Sequence, residues 1–283
     1  MNTTPLISAE ELLAQVRGPQ PPVLWDVGFD LADPSAGEAA YRAGHLPGAH
    51  YVHLDRDLSA PKTGRNGRHP LPPREAFAAT ATRFGVTPQR HVVVYDRQGS
   101  MYCVRAWWML KWLGHDAVSV LDGGVAAWLA AGGTLSTDGP TPVHASTYPL
   151  SEPLVASIDA AGLQARLGSP ALRVLDARAP ERYRGDTEPL DPVAGHIPGA
   201  ANRFFKDNLT PEGRFKPAAE LRREFEARLA GLPPGQVVHQ CGSGVTACHN
   251  LLAMELAGLG GSALYPGSWS EWCADPSRPV ERG

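Results

Sequence analysis

One cysteine lies where an apolar segment meets a glycine-rich turn. The stretch 237–240 runs directly into Cys241, after which Gly242 and Gly244 frame Ser243. Apolar side chains then recur at helical spacing, so the order predicts a strand, a tight loop and a helix. The loop N–H groups and the positive end of the helix favour a thiolate and can hold an anion. The stretch is therefore a candidate nucleophile site; the alternative is an ordinary strand–turn–helix corner with a buried cysteine.

Composition limits the classes of protein to which such a site could belong. The chain has 283 residues, 43% hydrophobic and 19% charged, and is long enough for two globular domains. Its net charge of −3 and the lack of a basic block argue against nucleic-acid binding. No apolar run approaches the ~18–20 residues that span a bilayer. Residues 1–5 lack a signal-peptide pattern. We expect a cytoplasmic protein that binds neither membranes nor nucleic acids.

The cysteines and histidines point to the same setting. The chain has four cysteines, which form no C-x-x-C pair and no dense disulfide framework. This usage fits a reducing compartment. The histidines are scattered without the spacing of zinc ligands, so we expect no metal and no other cofactor.

The elements that would position the cysteine loop occur twice along the chain. The segment 44–49 reads Gly-His-Leu-Pro-Gly-Ala and the segment 195–200 reads Gly-His-Ile-Pro-Gly-Ala. Four such landmarks recur in one order, separated by 144 to 151 residues. A period this long indicates duplicated domains, because solenoid repeats run ~20–50 residues. Short apolar strands alternating with helices predict α/β domains, each a mainly parallel sheet flanked by helices.

The two copies differ at the residue that matters for chemistry. A stretch rich in Pro, Thr and Ser predicts a linker at 139–152, between domains at 1–138 and 153–283. Aligned loops place Asp96 where the second domain has Cys241. Ligands of such sheets bind at the carboxyl ends of the strands, where this cysteine is expected. Only the second domain could therefore supply a sulfur nucleophile, and the first is expected to be non-catalytic.

These motifs together resemble the two-domain sulfurtransferases, namely rhodanese (thiosulfate sulfurtransferase) and 3-mercaptopyruvate sulfurtransferase. The resemblance covers nearly the whole chain. It is carried by the two Gly-His-x-Pro-Gly-Ala turns, Asp-Ala-Arg at 176–178 and Cys-Gly-Ser-Gly-Val-Thr-Ala at 241–247. It implies tandem rhodanese-like domains and a ping-pong reaction. Cys241 would take a sulfur atom from a small anionic donor as a persulfide and pass it to a thiol, such as that of thioredoxin, or to cyanide.

The resemblance also implies roles for particular side chains. Ser243 would hydrogen-bond the donor or relay a proton, and His45 would assist it. Arg182, six residues after Asp176, would bind the anionic end of the donor through its planar fork, with Arg184 as a second candidate. Successive loop N–H groups would hold the charged sulfur, as an oxyanion hole holds oxygen. The residues assigned to this cradle are Gly242, Gly244, Val245, Thr246 and Ala247.

Plainer roles stay open for two of these side chains. His45 could be a turn residue that bonds the backbone, a reading that His196 in the equivalent motif favours. Arg182 could form a surface ion pair with Glu181 or Asp186.

The loop favours 3-mercaptopyruvate as the donor, with thiosulfate as the alternative. Thiosulfate enzymes usually carry two basic residues after the cysteine, but Gly242 and Ser243 are uncharged. The mercaptopyruvate branch normally has a second arginine after Glu-Pro, where this chain has Leu190. Binding of a carboxylate by two guanidinium groups is therefore in question. Candidates for the missing group are Arg184, Arg97 and Arg105.

Two other functions would suit a cysteine in an anion-binding loop. Phosphatases and arsenate reductases place an arginine six residues after the cysteine, and here that residue is Ala247. A non-catalytic binding or regulatory module is the second alternative, against which the intact Cys241 loop argues.

Overall fold

The structure, a computed structural model, describes residues 4–140 and 147–283 and divides the chain into two compact units. The predicted linker 139–152 lies partly outside the described residues, since 141–146 are not among them. The first unit comprises the described residues of Met1–Ser59, Pro72–Leu154 and Pro211–Arg214. The second comprises Ala60–Leu71, Val155–Thr210 and Phe215–Gly283.

The segment Ala60–Leu71 belongs to the second unit, although the sequence-based division placed it in the first domain. The backbone N–H of Arg68 donates to Ser270 Oγ at 2.9 Å. A Cβ on Gly67 would lie 2.9 Å from the carbonyl oxygen of Gly267. These contacts join residues some two hundred positions apart, which is why local sequence patterns did not indicate them.

The first unit is built on one parallel sheet, five-stranded within the described residues, with the order β1-β5-β4-β2-β3. The strands are β1 (Leu6–Ile7), β2 (Val23–Asp26), β3 (His50–Tyr51), β4 (Val92–Tyr95) and β5 (Val118–Leu121). The helices are α1 (Ala9–Val16), α2 (Ala36–Ala43), α3 (Leu54–Asp57), α4 (Arg74–Arg83), α5 (Cys103–Leu113) and α6 (Gly124–Ala130).

The second unit repeats this architecture, with five described strands in the order β6-β10-β9-β7-β8, all paired in parallel. The strands are β6 (Ala156–Ser157), β7 (Arg173–Asp176), β8 (Ala201–Asn202), β9 (Val237–Gln240) and β10 (Ala263–Leu264). The α-helices are α7 (Ala160–Gln164), α8 (Pro180–Arg184), α9 (Ala218–Leu229), α10 (Ala247–Leu256) and α11 (Ser268–Trp272), with short 3₁₀ helices at Phe205–Asn208 and Pro234–Gln236. The predicted α/β architecture of two similar domains is confirmed.

The central strands are rich in apolar residues because both faces of each sheet are covered. Every residue of β2, β4, β5 and β9 is buried, as expected for parallel strands covered by helices. Trp107 and Trp108 of α5 and Trp269 and Trp272 of α11 are buried and add large apolar side chains to the cores. Within the described residues, no helix is both long and apolar enough to cross a bilayer.

Each unit ties its Gly-His-x-Pro-Gly-Ala turn to a strand end through a buried ion pair. In the first unit, Arg97 bonds the Asp26 carboxylate at 2.7 Å and donates to the carbonyl of the turn's opening glycine at 2.6 Å. In the second, Arg178 bonds Asp176 at 2.6 Å and the equivalent glycine carbonyl at 2.8 Å. Both turns are thereby held at the carboxyl edge of the sheet. Arg97 is fully occupied in this task, so it is not the missing donor-binding arginine.

Candidate active site

Cys241 follows β9 directly and lies at the carboxyl edge of the second sheet. Its N–H donates to Ser268 Oγ at 3.1 Å, and its carbonyl oxygen accepts from the N–H of Trp269 at 3.0 Å. Ser268 adopts φ = +52°, a left-handed conformation that Gly124 adopts at the equivalent place of the first unit. A serine in this conformation is strained, and its hydroxyl fixes the backbone of Cys241. Cys241 itself is only 2% exposed.

The corresponding loop of the first unit binds an anionic side chain with its backbone N–H groups. Asp96, the counterpart of Cys241, points its carboxylate into its own loop. Its Oδ1 accepts the N–H groups of Gln98 and Ser100, both at 2.9 Å. Its Oδ2 accepts those of Tyr102 and Cys103, at 2.9 and 3.1 Å. Four main-chain donors thus converge on one negative charge, the arrangement of a backbone anion nest.

At the same distances along the chain from Cys241, the N–H groups of the second unit belong to Ser243, Val245, Ala247 and Cys248, and α10 begins one residue nearer to the cysteine than α5 does to Asp96. Cys248 N–H donates to the Val245 carbonyl at 3.1 Å. In the part of the chain that the structure describes, no protein acceptor takes the N–H of Ser243, Val245 or Ala247. The loop also precedes α10, whose N-terminus adds positive potential. This arrangement can stabilise negative charge carried on the side chain of Cys241.

Replacing Asp96 with alanine should lower the free energy of unfolding by about 3 kcal/mol or more, because buried N–H groups lose their charged acceptor. Urea denaturation measures the change. Asp116→Ala, which removes a carboxylate that is 75% exposed, serves as the control and should change stability by less than about 0.5 kcal/mol. Sulfate should stabilise Asp96→Ala more than the wild type, because it can take the carboxylate's place. An unchanged denaturation midpoint in Asp96→Ala would contradict the proposed nest.

Gly244 is required by the space around it, and Gly242 shows which groups border the loop. Gly244 has φ = +75°, and a Cβ there would lie 2.2 Å from the carbonyl oxygen of Pro266. A Cβ on Gly242 would lie 3.2 Å from Arg68 Nη2 and 3.3 Å from Arg182 Nη1. The backbone beside the cysteine is therefore bordered by two guanidinium groups.

The two guanidinium groups are held by a pair of buried carboxylates. Arg182, on α8, bonds Glu188 Oε1 at 2.7 Å and Asp191 Oδ2 at 3.2 Å. Arg68 bonds Asp191 Oδ1 at 2.8 Å. The structure therefore places Arg182 at the loop and not in the surface ion pair that was its alternative. Arg68 was not among the residues singled out in the sequence.

A third arginine lies close enough to the cysteine for their charges to interact. Arg178 stacks 4.8 Å above the ring of Trp269 and bonds both Asp176 and Glu188. Burial alone would lower the pKa of Arg178, but Asp176, Glu188 and, more weakly, the charge of Cys241 raise it above its usual value. Arg178 therefore places a permanent positive charge near the cysteine loop.

Ser243 is hydrogen-bonded to His69, a residue that no sequence motif indicated. His69 Nδ1 lies 2.7 Å from Ser243 Oγ, and the two residues are 3% and 7% exposed. Residues 56–73 are rich in Pro, Gly, Arg and Lys, a composition typical of an exposed loop. No periodicity marks His69 in that stretch, so the single sequence contains no signal for this contact. A serine–histidine pair of this kind can move a proton near neutral pH.

Comparison with known proteins agrees with this geometry. The rhodanese-like domain model matches the chain twice, over residues 8–131 and 159–275. The chain belongs to the rhodanese-like family.

The relatives of this rhodanese-like protein are sulfurtransferases. A probable 3-mercaptopyruvate sulfurtransferase of Pseudomonas aeruginosa is 49% identical over the full length of both chains. The human 3-mercaptopyruvate sulfurtransferase is 38% identical, covering 94% of this chain and 91% of its own. A putative thiosulfate sulfurtransferase, SseB, of Mycobacterium tuberculosis is 41% identical, with 98% and 97% covered. The rhodanese-like chain is accordingly a transferase of this enzyme class.

Solved structures agree with this assignment. A 3-mercaptopyruvate sulfurtransferase from Leishmania major matches with a TM-score of 0.81 and 28% identity, covering 95% of this chain and 74% of the other. SseA from Escherichia coli matches with a TM-score of 0.79 and 29% identity, covering 94% and 99%.

His45 does not have the placement expected of a partner for the loop serine of the rhodanese-like site. Its ring stacks on Tyr41 with centroids 3.8 Å apart, and its nitrogens contact the carbonyls of Tyr41 and Asp138 at 2.8 and 2.9 Å. His196 stacks on Tyr183 and bonds its carbonyl in the same way. The catalytic hypothesis for His45 is therefore corrected: the motif places a histidine where it bonds the backbone of the turn.

Arg184 and Arg105 are likewise not the missing arginine of the rhodanese-like site. The Arg184 side chain is 47% exposed and forms a surface ion pair with Asp186 at 2.7 Å. Arg105 is fully buried within α5 of the first unit. The expected donor-binding role of Arg184 is therefore replaced by a surface ion pair.

The other three cysteines of the rhodanese-like chain are poorly suited to nucleophilic attack. All four cysteines lie among the described residues, and none of them forms a disulfide. Burial raises the pKa of Cys103, and it raises that of Cys273 to about 11. Cys248 is fully buried and donates its thiol hydrogen to the carbonyl of Gly244 at 3.4 Å. Their environments therefore leave Cys241 as the candidate nucleophile.

Replacing His69 with asparagine should lower kcat by about 10- to 100-fold, because Ser243 loses its proton-accepting partner. His45→Asn makes the matched comparison, since it removes an equally buried histidine from the first unit. That variant should lose stability and keep its kcat. Steady-state kinetics and thermal denaturation of both variants measure the difference. The reverse pattern, with kcat falling only in His45→Asn, would restore the sequence-based assignment.

Proposed function

We propose that this chain transfers sulfane sulfur from 3-mercaptopyruvate to a thiol acceptor through a persulfide on Cys241. The proposal rests on the loop of backbone N–H groups that follows Cys241. In the corresponding loop of the first unit, four such N–H groups donate to the carboxylate of Asp96. A persulfide carries its negative charge on the outer sulfur. That charge would lie over the same type of backbone donors.

In the first half-reaction, the Cys241 thiolate attacks the sulfur of 3-mercaptopyruvate. The S–S bond forms as the donor's C–S bond breaks, and the bonding electrons pass to the carbon as the enolate of pyruvate. Ser243, bonded to His69, is suited to hydrogen-bond the keto oxygen on which the enolate charge develops. The donor's thiol hydrogen leaves the transferred sulfur as a proton, and the pair can relay it to the enolate carbon, which gives pyruvate and leaves the persulfide anionic. Arg182 would hold the carboxylate of the donor throughout.

In the second half-reaction, a thiol or cyanide attacks the outer sulfur of the persulfide. The S–S bond breaks and Cys241 leaves as a thiolate, which restores the starting enzyme. The proposed acceptors are a small thiol, a protein thiol such as that of thioredoxin, and cyanide. A cytoplasmic setting is part of the proposal, and the absence of a disulfide among the four cysteines supports it, because cytosolic thiols are kept reduced.

The charge balance of the site favours 3-mercaptopyruvate over thiosulfate. Arg68 and Arg182 are cations, but Glu188 and Asp191 are bonded to them and cancel their charge. A monoanionic donor therefore enters a nearly neutral cluster, whereas a dianion would lack a compensating cation. The names of the relatives with 49% and 38% identity point the same way. Thiosulfate is the second candidate, favoured by the name of the 41% identical relative.

Thiocyanate formation from the two donors, with cyanide as acceptor, tests the proposal. We expect kcat/KM for 3-mercaptopyruvate to exceed that for thiosulfate by at least about tenfold, or 1.4 kcal/mol of transition-state free energy. A tenfold preference for thiosulfate would make this chain a thiosulfate sulfurtransferase. No thiocyanate from either donor would favour a non-catalytic sulfur-binding module.

A further inference from the structure

A guanidinium lies next to Leu190, the residue that stands where the mercaptopyruvate branch has a second arginine. The Arg68 guanidinium lies against the backbone of this leucine, with Nη1 3.4 Å from the Leu190 carbonyl oxygen. Arg68 comes from the segment Ala60–Leu71, more than one hundred residues earlier in the chain. A different segment of the same unit therefore brings a guanidinium to this position.

The two arginines converge on one point beside the cysteine. Arg68 Nη2 and Arg182 Nη1 lie 3.2 and 3.3 Å from the Cβ position of Gly242. Like charges this close repel each other unless an anion lies between them. Asp191, 4% exposed, meets this need by bonding Arg68 with one oxygen and Arg182 with the other. Its carboxylate keeps the two cations side by side.

Both guanidinium groups keep N–H donors that no acceptor takes. Arg68 Nε and Arg182 Nε are buried, and neither has a hydrogen-bond partner within the described residues. Buried unsatisfied donors are destabilising, so an anion that accepts hydrogen bonds from these side chains would be bound favourably. A carboxylate has two oxygens and several lone pairs, and it can accept hydrogen bonds from both groups at once.

The backbone that carries Arg68 is fixed on both sides of the side chain. Its own N–H donates to Ser270 Oγ at 2.9 Å. Gly67 packs against the carbonyl of Gly267 with φ = +83°, and His69 bonds Ser243 in the cysteine loop. The guanidinium is thus positioned before any donor arrives, which reduces the entropy lost on binding.

From these contacts we propose that Arg68 binds the carboxylate of the sulfur donor together with Arg182. The inference rests on the proposed function and deepens it, because it assigns the second guanidinium of donor recognition to a residue outside the usual motif. Arg68 contacts the non-reacting end of the donor. Its loss should therefore weaken binding far more than it slows the chemical step.

Steady-state kinetics of Arg68→Ala test the proposal. We expect the KM for 3-mercaptopyruvate and the inhibition constant of pyruvate to rise about 10- to 100-fold, with kcat within about threefold of the wild type. For Arg68→Lys, the KM and the inhibition constant of pyruvate should lie between those of the wild type and those of Arg68→Ala. Lysine keeps the positive charge but lacks the planar guanidinium that binds both oxygens of a carboxylate. Arg65→Ala removes an exposed arginine of the same segment and should leave all three constants unchanged.

An unchanged KM and an unchanged pyruvate inhibition constant in Arg68→Ala would overturn the proposal, as would a fall in kcat alone. If Arg68→Ala does not fold, Arg68→Gln gives the same two outcomes, since it keeps an N–H for Asp191 but carries no charge. Failure of the proposed function looks different: the wild-type protein would then form no persulfide with 3-mercaptopyruvate at all.

Discussion

Replacing Cys241 with serine should lower the rate of thiocyanate formation from every donor by a factor of about 10⁴ or more. A serine hydroxyl is not ionised at neutral pH, and its oxygen cannot carry the transferred sulfur as a persulfide. The substitution nearly preserves the side-chain volume. It also leaves the backbone bonds of residue 241 to Ser268 and Trp269 in place, so the fold should be retained.

Cys103→Ser is the control for this loss of activity. The residue is fully buried in the first unit, and a serine hydroxyl can keep the contact that the thiol makes with Asp96. Its kcat/KM should stay within about twofold of the wild type. Circular dichroism of both variants verifies folding. A Cys241→Ser variant that retains more than about one hundredth of the activity would contradict a persulfide on this residue.

Replacing Arg182 with alanine should lower kcat/KM for 3-mercaptopyruvate by about 100-fold or more. The variant loses the guanidinium that faces Gly242. It also leaves Glu188, 3% exposed, without its closest cation near the donor's carboxylate. The unbalanced carboxylate would repel the donor. The effect should therefore exceed that of Arg68→Ala, after which Arg182 can still pair with both Glu188 and Asp191.

Arg184→Ala is the matched control, since it removes the same side chain two residues away on α8. Arg184 pairs with Asp186 at the surface, where such pairs contribute little to stability. We expect its kinetic constants to equal those of the wild type. Comparable losses in the two variants would indicate damage to α8 and not a lost donor contact. A less than threefold change in Arg182→Ala would exclude it as the donor-binding residue.

Local patterns were sufficient to predict the fold and the difference in residue type between the two loops. Short apolar strands followed by helices predicted both parallel sheets, since strands covered on both faces need continuous apolar runs. The replacement of cysteine by Asp96 in the first copy followed from aligning the loops. The four hydrogen bonds to its carboxylate show why aspartate suits that position: it supplies the negative charge that the backbone nest holds.

The residues that complete the site could not be predicted because their contacts are remote in sequence. His69 is 174 positions from Ser243, and Arg68 is 123 positions from Asp191. Neither residue belongs to a periodic element, so only the fold of Ala60–Leu71 onto the second unit brings them to the loop. The hypothesis for His45 was wrong for a related reason. A turn motif shared by both copies identifies a structural position, whatever role its counterpart has elsewhere.

Cys241 is expected to carry the transferred sulfur as a persulfide whose negative charge is stabilised by backbone N–H groups of the loop. Intact-protein mass spectrometry after incubation with 3-mercaptopyruvate in the absence of acceptor tests it most directly, with peptide mapping to locate the adduct. We predict a mass gain of one sulfur atom on the peptide that contains Cys241, removed by cyanide and absent from Cys241→Ser. No gain with 3-mercaptopyruvate or thiosulfate, or a sulfur found instead on Cys103, Cys248 or Cys273, would contradict it.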